Sequence, residues 1–172
     1  MRGRLVRAVE GLSEEQQRFR PAPDRWSVAQ LCEHLSIVEG NVAALLGKVL
    51  GKAEESGAAT RADGAAFAPV SIAEFVERTR DVKLNAPESV RPGESRPLAE
   101  SLAALDTSRS ALRALRPRAE RADGHALRFP HPVWGPLNLY QWLLFVGAHE
   151  SRHLAQIEAL KELMNAPPGE KT

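Results

Sequence analysis

Asn138-Leu139-Tyr140-Gln141 opens a run in which Leu143, Val146, His149, His153, Ile157, Leu160 and Met164 recur three or four residues apart, until Pro167-Pro168-Gly169 ends it. That spacing lines one face of an α-helix; a strand, whose side chains alternate every two residues, cannot bury it. The opening tetrapeptide is a capping-box pattern, in which two side chains satisfy amides that the first helical turn leaves without partners. The pattern returns at Ser27-Val28-Ala29-Gln30 and at Ser71-Ile72-Ala73-Glu74. Strict two-residue alternation is nearly absent, so the chain is expected to be all-α.

The remaining punctuation sets the expected elements. A short first helix over residues 2–18 carries Leu5, Val9 and Leu12, is interrupted near Ser13-Glu14-Glu15-Gln16 and is ended by Pro21 and Pro23. The second runs from Ser27 to about Lys52, with an inward stripe of Leu31, His34 or Leu35, Val38, Val42, Leu45 and Val49. Residues 53–70, rich in Gly, Ala and small polar residues, read as a flexible connection. The box at Ser71 opens a helical segment with Phe75 and Val76 that ends before Pro87, and Pro92-Gly93 marks a turn. Leu98, Leu102, Leu105 and Leu112 give a further helix from about Pro97 to Leu115, stopped near Pro117. Residues 118–137 are predicted to be loop, because Pro130, Pro132, Gly135 and Pro136 oppose regular structure. Four principal helices and two long connections predict a four-helix bundle with crossover connections, built as a single domain over residues 1–172.

A net charge of +1 gives no electrostatic reason to expect nucleic acid as a partner. Cys32 is the only cysteine, so no intramolecular disulfide can form, which fits a reducing compartment. No run approaches the ~20 apolar residues of a membrane-spanning helix. The basic start, Met1-Arg2-Gly3-Arg4-Leu5-Val6-Arg7, is not followed by an apolar signal-peptide core. The expectation is a soluble, cytoplasmic protein acting on a small molecule.

The histidines carry the chemistry. His149 and His153 stand four apart on one helix face, a spacing at which two imidazoles can grip one metal ion. The same residues spell His-Glu-x-x-His, the zinc-protease helix motif, with Glu150 as general base. That reading needs a third ligand downstream; the extended motif's Gly and His positions hold Gln156 and Ala159, so a zinc metalloprotease is a remote alternative. Taken alone, His34 is more simply a hydrogen-bonded core histidine, and an i,i+4 pair also occurs on solvated faces. Together, His34 beside Leu31 and Val38 and His149 beside Val146 should point into the same bundle interior. Three neutral imidazoles can hold Zn²⁺, Ni²⁺ or a related divalent ion and leave a coordination position for water or substrate. Cys32, two residues from His34, should project from another side of its helix as a small buried residue. Glu150 and Gln156 are weak catalytic candidates: Glu150 as a proton acceptor or, more simply, an exposed partner for Arg152 or a neighbouring helix, and Gln156 as a group that orients a ligand or contacts substrate or, equally, as a partly buried polar residue with a local partner. His131 sits in a loop that can fold over the site or merely shape a turn, His125 has no assigned role, and Trp26, Trp134 and Trp142 are expected to pack the bundle.

These residues add up to a resemblance. Arg20-Pro21, Trp26-Ser27, His34-Leu35, the segment His131 to Leu137 leading into Trp142, and His149-x-x-x-His153-x-x-Gln156 together resemble the DinB-like (DinB/YfiT) superfamily, in the family's order and over nearly the whole chain. The resemblance implies a four-helix bundle, often a homodimer, whose divalent metal is held by one histidine of the second helix and two of the last. The matching positions are His34, His149 and His153. It further implies either transfer of a low-molecular-weight thiol to a small electrophile, or hydrolysis of a small substrate. A non-catalytic stress-response or ligand-binding bundle is the competing expectation. The first helix is short for the family, which leaves room for a longer N-terminus or a different dimer contact.

Overall fold

A computed structural model describes residues 1–57, 61, 68–79, 82, 84–94 and 96–165. Among them the helices are α1 (Arg2–Val9), α2 (Glu14–Arg18), α3 (Val28–Ser56), α4 (Ala73–Thr79), α5 (Leu98–Ala114), α6 (Arg116–Arg121) and α7 (Leu139–Asn165), with a 3-10 turn at Glu88–Val90. Strands β1 (Arg128–His131) and β2 (Gly135–Asn138) form one antiparallel hairpin.

Capping chemistry explains the helix starts. Ser27 Oγ accepts from the Gln30 amide at 3.3 Å while Gln30 Oε1 accepts from the Ser27 amide at 3.1 Å, which opens α3. Asn138 and Gln141 exchange the same pair of bonds, at 2.9 and 3.0 Å, ahead of α7. A third reciprocal pair, Ser13 with Gln16, restarts the chain as α2. At the expected Ser71 box the hydroxyl instead accepts from the Ala73 amide at 3.1 Å.

Three expectations need correction. Helix α3 continues past Lys52 to Ser56, because Ala53 is buried and extends its apolar face. In its second half that face is Val42, Ala43, Leu46, Leu50 and Ala53, with Leu45 and Val49 only half-buried. Residues 118–137 are not all loop. Pro117 lies in the first turn of α6, where no amide hydrogen is needed, so it opens a helix instead of stopping one. Pro130 and Pro136 face each other across the hairpin, a position that requires no ladder bond from either, and Gly135, at φ +74°, supplies the turn. The expected connection beyond Gly57 and the Pro167-Pro168-Gly169 stop fall largely outside the described residues.

The contacts group into two compact units. The first comprises residues 1–38, 86–106 and 149–172. Its core is Leu5 and Val9 of α1, Val28, Leu31, Cys32 and Leu35 of α3, Leu98 and Leu105 of α5, and Leu154, Ile157 and Leu160 of α7. The second comprises residues 39–85 and 107–148. There Glu39, 4% exposed, takes both arms of Arg109 at 2.9 and 3.0 Å, so its charge is paired where water cannot reach it. Tyr140 donates its hydroxyl hydrogen to Ala122 O and accepts from the Gly124 amide.

Candidate metal centre

All three predicted ligands lie in the first unit. The Ser27 box starts α3 so that His34, two turns on, is buried (4% exposed), and α7 brings His149 and His153 to the same place. The Nε2 atom of His149 stands 3.2 Å from Nε2 of His34 and 3.1 Å from Nε2 of His153. The three rings meet edge to face, with centroids 4.5–5.1 Å apart.

The far side of two rings is already committed. His34 Nδ1 is 2.7 Å from the carbonyl oxygen of Val90, and His153 Nδ1 is 2.7 Å from Gln156 Oε1. Both partners only accept, so each Nδ1 carries the hydrogen and each Nε2 presents a lone pair inward. Burial pushes the His34 pKa down against the pull of the Val90 carbonyl. Burial, with the neighbouring His34, pushes His153 down to about 3 against the Gln156 bond. Both rings are therefore neutral near pH 7, the form that binds metal.

The donor set fits a divalent cation. With lone pairs on His34 and His153, His149 Nε2 carries at most one hydrogen for two gaps of hydrogen-bond length, so the two contacts must share it. A cation among the three nitrogens satisfies them all. Ligand nitrogens ~2.0–2.1 Å from an ion stand roughly 3.3 Å apart at tetrahedral corners and roughly 3 Å apart at adjacent octahedral corners. The two spacings about His149 suit either geometry, and all three ligand atoms lie within 4.8 Å of one another.

Among the described residues no cysteine or carboxylate joins this group. Cys32 is buried in the core, and burial pushes its thiol up to about 12, against the pull of Arg2, so it is a packed thiol and not a thiolate ligand. Glu150 departs from expectation in its burial. It pairs with a neighbouring helix, as expected, but is only 1% exposed, and its Oε2 accepts from Arg2 Nε at 3.3 Å and Nη2 at 3.0 Å. A carboxylate held this way by α1 is not placed to serve as the general base of a zinc protease.

Gln156, on the exposed side of α7, accepts from His153 Nδ1 and so fixes the orientation of that ring. His131 shapes a turn: its Nδ1 accepts from the amides of Val133 and Trp134, and its ring packs with Trp134, Trp142 and Phe145 in the second unit. His125 packs on Tyr140. Trp134 and Trp142 pack as expected. Trp26 packs on the core cluster as expected and also lies against the site, 4.8 Å from the His34 ring and 6.5 Å from that of His153. Sequence reasoning missed Arg2, which reads as part of a basic leader, and Val90, which acts through its backbone.

Comparisons with known proteins bear on the family and the fold. The family model for the DinB superfamily matches residues 1–157. The uncharacterised protein YuaE of Bacillus subtilis is 26% identical over 155 residues, covering 90% of this chain and 88% of that one. Among solved structures, TT2238, a four-helix bundle protein, superposes with a TM-score of 0.57 at 22% identity, over 92% of this chain and 90% of that one. YfiT of Bacillus subtilis, described as a probable metal-dependent hydrolase with an unusual four-helix bundle topology, gives 0.58 at 20% identity, over 96% and 82%. The fold is thus that of a four-helix bundle.

Proposed function

The chain belongs to the DinB superfamily, and on that premise we propose that it is a divalent-metal-dependent enzyme that hydrolyses a small molecule. The observation that carries the reading is the convergence of three Nε2 atoms with the opposite edges of two rings already hydrogen-bonded. A bound divalent ion supplies a Lewis acid and a water whose pKa falls toward ~7. The protein's part is preorganisation. Val90 and Gln156 hold the tautomers of His34 and His153, burial keeps both rings neutral, and three protein ligands leave room for a further one. The description of YfiT supports hydrolysis as the reaction. Transfer of a low-molecular-weight thiol to an electrophile would use the same open position and differs in requiring the thiol.

Metal analysis of the purified protein and of His34→Ala, followed by a screen of small esters, amides and electrophiles with and without added thiols, tests the reading. Stoichiometric zinc or nickel in the wild type, lost in the folded variant, is the expected result, with turnover that needs no thiol. Undiminished metal in His34→Ala would sink the three-histidine site. A melting temperature indifferent to both chelator and metal, with no turnover, would favour a non-catalytic bundle.

A further inference from the structure

Trp26 immediately precedes the Ser27 cap, so the local order that starts α3 also fixes its indole beside the histidines. The ring is tilted 47° to His34 and 33° to His153, at the centroid distances given above. His34 and His153 are 4% and 7% exposed, and their outer edges are closed by Val90 and Gln156, so they offer almost no surface of their own. Trp26 and His149 are only half-buried. Of the four rings grouped here, these two therefore carry the larger share of solvent-facing surface. One of them is a ligand; the other is a flat apolar face with no charge. A few convergent polar atoms beside an aromatic wall is the usual make-up of a site for a small organic molecule.

We propose that Trp26 is the wall against which the substrate's body rests while its polar head reaches the metal, and that the substrate is a small molecule with a flat, apolar or aromatic body. This rests on the metal reading above. The indole packs against the core cluster on one side, so its position is set before any ligand arrives. An aromatic body laid on the exposed part would gain both apolar burial and ring–ring contact.

Two hydroxamates with one chelating head and different bodies test this. Acetohydroxamate and benzohydroxamate are titrated into the zinc-loaded protein, each affinity being referred to that for free zinc. Wild type should prefer the benzo compound about fivefold to tenfold, the size expected of one aromatic contact. Trp26→Gln should abolish the preference while keeping zinc and acetohydroxamate binding, and Trp26→Phe should restore much of it. If Trp26→Gln does not fold, the emission of Trp26 in a Trp134→Phe, Trp142→Phe background gives a second readout, and benzohydroxamate should change it more than acetohydroxamate does. Equal affinities in wild type, or a preference that survives in Trp26→Gln, would overturn the wall and leave the metal site standing. Failure of the wild type to hold zinc would overturn both.

Discussion

Replacing Arg2 by Met removes the counter-charge of a carboxylate that is 1% exposed. Two guanidinium nitrogens of Arg2, whose side chain is 14% exposed, reach Glu150 Oε2. Removing one partner of a buried pair costs about 3–5 kcal/mol, because the charge left behind has no water to return to. Arg2 keeps some contact with solvent, and Asp106, 3.9 Å away, already shares its charge, so Arg2→Met belongs near the low end, about 3 kcal/mol. For a chain of this length that lowers the melting temperature by roughly 6–12 °C. Arg2→Met with Glu150→Leu should regain most of the loss, since an apolar pair of similar volume needs no solvation. Urea unfolding of the wild type, both single variants and the double variant, without metal and followed by far-UV circular dichroism, gives the coupling. We expect a coupling above about 1.5 kcal/mol. A loss for Arg2→Met under about 0.5 kcal/mol, or additive single effects, would refute the reasoning by showing that the pair behaves as a solvated surface contact.

Other outcomes follow from the site and its surroundings. Gln156→Leu should weaken zinc binding about tenfold, the low end for loss of a ligand's hydrogen-bond partner, because water can take over at an exposed position; unchanged affinity in a competition titration would show that His153 is held by other means. In the metal-free protein, stability should fall as pH drops from 7.5 to 5.5. The unfolded chain protonates His153 near 6.5, whereas the folded chain does not until about 3, so stability is complete above 6.5 and is lost downward through that window. One such histidine costs about 1.4 kcal/mol at pH 5.5, His34 adds in the same direction, and His153→Gln should flatten the profile measured by urea titration. Gly124→Ala should destabilise by about 1–3 kcal/mol, because the new methyl would lie 2.5 Å from the Tyr140 ring; a melting temperature equal to wild type would mean that the ring moves freely.

The sequence revealed most where local chemistry decides structure. The boxes at Ser27 and Asn138 announced α3 and α7 because their bonds span three residues and need nothing distant. His149 and His153 were legible from helical spacing, and His34 from the stripe it shares with Leu31. Legibility failed where the partner is remote in sequence or lacks a side-chain signature. Pro130 and Pro136 looked like breakers because their pairing, which makes each harmless, exists only once the hairpin forms. Glu150 looked exposed because its partner is 148 residues away. Val90 left no trace, since any residue there has a carbonyl.

The two oriented imidazoles differ in how they would fare under mutation. Gln156 can be removed by a single substitution, so random change or an alanine scan would find it quickly. The acceptor for His34 belongs to the peptide backbone of the 3-10 turn at Glu88–Val90, and replacing the Val90 side chain leaves it in place. Side-chain scanning would therefore score Val90 as dispensable even though its carbonyl aims His34, a proposed metal ligand. Only a change that moves the turn, such as a deletion within 86–93 or an ester in place of the peptide bond, would expose the dependence. A related chain could thus vary freely in side chains there and still keep the tautomer of its first ligand.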